Sequence, residues 1–155
     1  MAKLILMVGL PFHGKTTRAK ELEKEYNAIR FTPDEWQIRL FGNEYPHPEH
    51  NKRHETIEQI MVELGFELLQ KGVNVILDFG FWSKEERKFY KDKAEAMGFD
   101  FAMCYCKYSE DELIKRLEKR NKENAAKGMF VITIETYNDF AKLFQEPSAD
   151  EGNWI

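Results

Sequence analysis

An α/β fold, a parallel sheet with helices on both faces, is the architecture the sequence predicts, and three observations point to it. Four apolar runs recur along the 155 residues, at Leu4–Val8, Ala28–Phe31, Val73–Leu77 and Phe99–Tyr108. Between them lie segments whose apolar residues recur at helical spacing. The first run feeds a loop containing Gly9 and Gly14, which opens straight into a helix. Strands alternating with helices build a parallel sheet, and right-handed crossovers restrict its order.

Each element has a local reason. Ala19, Leu22 and Tyr26 give the first helix, Thr17 to Tyr26, an apolar side among charges. Pro33 biases Thr32 away from helical geometry and closes the second strand. A short helix follows from Asp34 to Phe41, stopped at Gly42. Glu44 to His50, with two prolines and two histidines, reads as loop. From Asn51 to about Gly72, Ile57, Ile60, Met61, Leu64, Leu68 and Leu69 form one stripe, the mark of a long amphipathic helix. The β-branched run Val73–Leu77 is the third strand, with Asp78 at its end. Ser83, with Glu86 three residues on, caps a helix that runs to Met97. Ser109 caps another, whose first turn carries Glu110, Asp111 and Glu112. A last helix spans Ile134 to Phe144. The predicted strand order is 2-3-1-4, and only Asn153-Trp154-Ile155 remains to form a fifth strand.

The stretch Gly9-Leu10-Pro11-Phe12-His13-Gly14-Lys15-Thr16-Thr17 satisfies the phosphate-binding pattern G-x-x-x-x-G-K-[ST]. Its placement between strand and helix aims main-chain N–H groups and the positive helix end at a polyphosphate. Lys15 then reaches the β- and γ-phosphates, and the Thr16 hydroxyl ligates Mg²⁺. Phe12, His13 and Thr17 complete the loop's contacts. The expected fold is therefore the three-layer P-loop NTPase fold, and the expected cofactors are ATP and Mg²⁺.

Bulk properties narrow the class. A chain of this length suits one domain, residues 1–155, burying roughly 68–70% of its unfolded surface. A formal net charge of −4 weighs against a nucleic-acid partner. Cys104 and Cys106 read as reduced strand residues on one face, as in a cytoplasmic protein. No run approaches the ~18 apolar residues of a membrane span.

Other motifs select among nucleotide chemistries. Asn121-Lys122-Glu123-Asn124 lacks the Asp of a GTPase base-reading loop, and Asp78 is followed by Phe79 where a motor ATPase has Glu. Asp78-Phe79-Gly80 matches a protein-kinase triplet without the rest of that set. A small phosphotransferase remains. Such an enzyme needs a base for the acceptor hydroxyl, cations for the moving phosphoryl group, and a lid. Asp34 sits just past strand two, where open α/β sheets place ligands, although an Asp there also serves as a helix N-cap. Arg39 stands about one turn further on, as an acceptor contact or a solvated charge. Asp78 is costly to bury without a partner and fits a metal or substrate role. Arg116 and Arg120 share a helix face leading to Asn124-Ala125-Ala126-Lys127-Gly128, a candidate hinged lid spanning about 115–130.

The order of these motifs, with Thr32-Pro33-Asp34-Glu35-Trp36, Val75 to Phe81 and Arg116-Leu117-Glu118-Lys119-Arg120-Asn121, resembles one branch of P-loop kinases. That branch, AAA-type and ATP-binding, includes polynucleotide 5′-hydroxyl kinases, zeta toxins and chloramphenicol phosphotransferase. The resemblance spans nearly the whole chain. It implies Asp34 as general base, Arg120 with Arg116 as phosphate contacts, and Arg39 as a weaker match, its spacing differing. Phe12-His13 replaces the family's small loop residues, and its last strand is shortened or absent.

The expected activity is transfer of the γ-phosphoryl group of ATP to a hydroxyl of a small molecule, with Lys15, Asp34 and Arg120 catalytic. A polynucleotide 5′-kinase is the rival enzyme. A regulatory ATPase acting through a protein partner is the rival from another class. His47, His50 and His54 are read as lining the acceptor pocket or the surface rather than holding zinc.

Overall fold

The computed structural model describes residues 1–42, 47–127 and 131–155. Its sheet has four parallel strands in the order β2-β3-β1-β4, as the sequence predicts. These are β1 (Lys3–Val8), β2 (Ala28–Phe31), β3 (Asn74–Gly80) and β4 (Asp100–Tyr105). β1 pairs with β3 through Leu4↔Val75 and Leu6↔Leu77, and with β4 from Lys3↔Asp100 to Val8↔Tyr105.

Period-two alternation sends the strands' side chains into two cores. Leu4, Leu6, Val75, Leu77 and Met103 face helices α3 (His50–Gln70) and α4 (Lys84–Ala96), meeting Met61, Leu69 and Ala94. Ile5, Met7, Ile76 and Ala102 face α1 (Lys15–Glu25), meeting Ala19 and Leu22. A third cluster sits apart. Leu113 and Leu117 of α5 (Glu110–Ala126) and Tyr137 of α6 (Ile134–Leu143) pack with Leu10 and Phe12. The tip of the glycine-bearing loop is thus the floor of a small core of its own.

Several boundaries differ from expectation. β3 continues past Asp78 to Gly80, because Gly80 still pairs with Val8 and its carbonyl accepts from Gly9 N at 3.0 Å. Asp78 therefore lies inside the strand rather than at its end. β4 stops at Tyr105, so Cys106 lies beyond the strand, half-buried, while Cys104 is buried; both are free thiols. α2 (Pro33–Phe41) begins one residue early with Thr32 as N-cap, which puts Asp34 in the first turn and not at the cap. α5 is helical through Ala126, which absorbs part of the predicted lid hinge; Gly128, the end of that hinge, lies outside the described residues, as do 43–46 of the predicted loop. No fifth strand forms among the described residues. A single parallel bridge, Met103↔Trp154, lies beside β4, closed by Met103 N donating to Asn153 O and Ile155 N to Met103 O.

The last residues are strapped down by Arg87. Its guanidinium, 1% exposed, donates to Phe81 O (2.8 Å), Gln145 O (2.9 Å) and both Glu151 carboxylate oxygens (2.8 and 3.3 Å). Phe81 has φ 46°, a left-handed conformation costly for a bulky residue, and Arg87 holds its carbonyl there. No helix among the described residues is long and apolar enough to cross a membrane.

Candidate active site

The loop between β1 and α1 forms the cradle the motif predicts. Gly9 has φ 151° and its amide is tied to Gly80; a Cβ there would lie 2.6 Å from Cys106 O. Gly14 has φ 75°, and a Cβ would lie 2.3 Å from the Tyr108 hydroxyl. Both positions need glycine for conformation and for space. Lys15 Nζ folds over the loop, donating to Gly9 O and Leu10 O at 2.9 Å each. Burial lowers its pKa, opposed by the charges of Asp78 and Asp34.

Asp78 is 5% exposed and carries the clearest orphan in the site. Its Oδ2 accepts from the Thr16 hydroxyl at 2.7 Å and from the Thr32 hydroxyl at 2.9 Å. Its Oδ1 is buried with no hydrogen-bond partner among the described residues. Burial raises the carboxyl's pKa, while the two hydroxyls, Lys15 and Arg30 oppose the rise. A buried carboxylate oxygen left open beside a helix-start Thr fits a hard divalent cation, which binds few protein oxygens and completes its shell with water and phosphate. Among the described residues no group of three or more His, Cys, Asp or Glu side chains could hold a metal by themselves.

Phe12 and His13, the bulky departure at the loop tip, are anchors. His13 is 6% exposed. Its Nδ1 accepts from Tyr108 N at 2.7 Å, which leaves the proton on Nε2 to donate to the Tyr137 hydroxyl at 2.6 Å. Burial, then Lys15 and Lys107, lower its pKa to about 4, so the ring is neutral near pH 7. Its side chain is committed to the protein and only its amide faces the cradle's task. Phe12, at φ 68°, offers its ring to the guanidinium of Arg120, 4.7 Å from the centroid. Arg116, also exposed, pairs with Glu112 at 2.8 Å and stacks 4.0 Å over Tyr108, behind Gly14. Thr17 is exposed in the third position of α1. The predicted lid residue Asn121 makes a two-way clasp with Ile132, whose carbonyl and amide lie 2.6 and 3.0 Å from it.

On the opposite side of the cleft Asp34 is open, its side chain 85% exposed, with His54 Nδ1 3.9 Å away. Arg39 is exposed in the last turn of α2. α3 begins at His50, so His50 and His54 do share a face, with rings stacked at 6.0 Å. Trp36 and Phe79 are half-buried against the core and Phe81 is buried in it, whereas Trp82 meets Phe140 at 5.6 Å. Thr32, Tyr108 and Tyr137 are the site residues that sequence reasoning missed. Thr32 stood inside a quoted motif, but neither tyrosine carries a local signal.

Residues 4–147 match the AAA domain family AAA_33. Among solved structures, a putative kinase from Chloroflexus aurantiacus J-10-fl superposes with TM-score 0.75 and 18% identity, over 99% of this chain and 82% of that one. A sugar kinase from Janibacter sp. HTCC2649 gives TM-score 0.67 and 12% identity, over 100% and 84%. A chain of the Pnkp1/Rnl/Hen1 RNA repair complex gives 0.64 and 23%, over 92% of this chain but 43% of its own length. At these identities the likeness is one of fold. No curated protein matches. With its phosphate cradle, its 2-3-1-4 sheet and kinase-like neighbours, the chain belongs to the AAA_33 family and has the fold of a P-loop kinase.

Proposed function

We propose that this protein is an ATP- and Mg²⁺-dependent phosphotransferase whose acceptor is a hydroxyl of a small molecule. The observation that carries the reading is a pair of carboxylates of opposite character linked through Thr32, whose hydroxyl bonds Asp78 and which caps the helix carrying Asp34. One, Asp78, is buried and holds the Thr16 hydroxyl; the other, Asp34, is open to the cleft. Mg–ATP, when bound, supplies the transferable phosphoryl group and the metal charge that offsets its negative oxygens. The loop amides bind the phosphates, and Lys15 exchanges two carbonyls for phosphate oxygens. Thr16 and the open oxygen of Asp78 hold the metal. Asp34 takes the acceptor's hydroxyl proton as that oxygen bonds to phosphorus and the bond to the departing diphosphate breaks. Arg120, exposed and resting on the Phe12 ring, neutralises charge on the phosphoryl group.

Asp34→Asn is expected to lower transfer by roughly 10²–10⁴-fold with ATP affinity unchanged, as for loss of a general base. The measurement is a screen of hydroxyl compounds with γ-labelled ATP, run beside Lys15→Ala. Undiminished transfer by Asp34→Asn would remove Asp34 as the base, whereas ATP turnover that labels none of the hydroxyl compounds would favour a regulatory ATPase. Tight oligonucleotide binding with a steep salt slope would favour a polynucleotide acceptor, against the chain's net charge of −4.

A further inference from the structure

We propose that His54 is a positioning residue for Asp34: the imidazole, anchored from behind by Glu58, holds the open carboxylate toward the acceptor hydroxyl. The inference rests on Asp34 being the proton acceptor and adds to it the device that orients it. Asp34 needs one. Its side chain is 85% exposed in the first turn of α2, and an unrestrained carboxylate there samples several rotamers. His54 is the side chain that faces it, with Nδ1 3.9 Å from Asp34 Oδ1. The ring cannot swing away, because Nε2 is fixed 3.1 Å from Glu58 Oε1, one turn along α3. Its Nδ1 is cut off from solvent and has no hydrogen-bond partner among the described residues, although the side chain as a whole is 30% exposed. A buried ring nitrogen aimed at an exposed carboxylate is an unmade contact. The 3.9 Å gap exceeds a hydrogen bond, and a small rotation of the free Asp34 side chain closes it.

The charges around His54 favour its protonated form. Asp34 faces it from α2, while Glu55, Glu58 and the ring of His50 surround it on α3; Glu86 of α4 in turn faces Glu58. The hydrogen bond to Glu58 is the largest cause of a raised pKa, opposed by burial and helped by the charges of Glu58, Asp34 and Glu55. The sign follows. Protonated His54 carries Nδ1–H toward Asp34 at pH values below its raised midpoint. The tether is lost as pH rises through the raised midpoint, above the ordinary 6.5. A neutral His54 acting instead as a proton relay would show the opposite limb.

The test needs no knowledge of the acceptor. Imidazole-¹⁵N and carboxylate-¹³C NMR titrations of the free protein are run on wild type, Asp34→Asn, Glu58→Gln and His54→Gln. Removal of either carboxylate is expected to lower the His54 midpoint. ATP hydrolysis, with water in the acceptor's place, is followed across about pH 5 to 9, the range in which a histidine switch operates. Wild-type kcat should fall on the alkaline side at the His54 midpoint. His54→Gln should lose that limb and roughly tenfold to hundredfold of kcat, with KM for ATP unchanged, as for a misplaced catalytic group. A His54 midpoint indifferent to Asp34→Asn overturns the proposal, even in a protein that hydrolyses nothing. Failure of ATP to bind at all counts against the phosphotransferase reading instead, and leaves the NMR result to decide the pair.

Discussion

Arg87 and Arg120 are the same side chain put to opposite uses. Arg87 is 1% exposed, and its guanidinium is spent on two carbonyls and a carboxylate that fasten the C-terminal segment to the end of β3. Arg120 stands exposed on α5 with its guanidinium over a phenylalanine ring, a contact that a phosphate can outbid. A planar cation whose three nitrogens are all bonded inside the fold is architecture, while one parked on an aromatic face keeps its donors for a ligand.

Three substitutions sharpen that contrast. Arg87→Ala leaves the half-buried Glu151 carboxylate and two carbonyls without their donor, and is expected to cost about 3–5 kcal/mol in urea unfolding. Arg120→Ala should leave the urea midpoint unmoved and lower phosphoryl transfer by roughly 10²–10³-fold, the usual cost of one lost oxyanion donor. If it unfolds the protein as Arg87→Ala does, the division between the two arginines fails. Phe12→Leu removes the ring under Arg120 but keeps most of the apolar packing against Leu113 and Leu117. Its expected effect, about 0.5–1 kcal/mol, is that of an exposed cation–π contact and should be read in ATP affinity or kcat. A larger loss would mean that Arg120 needs its resting place to find the phosphate.

What the sequence disclosed depended on how far apart the cooperating residues lie. The phosphate-loop signature, the existence and order of the four strands, and the caps at Ser83 and Ser109 are local patterns; the strand order and both caps appear as read, each serine accepting from the amide three residues on, at 3.3 Å. Asp34 was placed by its position after a strand and not by its neighbours. Arg87, by contrast, sits in Lys84-Glu85-Glu86-Arg87-Lys88, which reads as a solvated helix face. Its partners in the tail are 58 and 64 residues away. His13 was open to a phosphate role because its true partners, Tyr108 and Tyr137, lie 95 and 124 residues on. Asp78 looked like a strand end because the apolar run stops there. Pairing with β1 carries the strand two residues further, a fact that belongs to β1 as much as to β3.

The bond from His13 to Tyr137 changes what counts as the smallest piece able to grip a nucleotide. The nine-residue signature, Gly9 to Thr17, would survive whole in a fragment that stopped at Lys127. Such a fragment would lack the phenol that receives the imidazole's proton, and the bulky crest of its turn would lose much of the apolar bed it rests on. In this chain the turn that carries the phosphate-binding signature is braced by a side chain 124 residues further on.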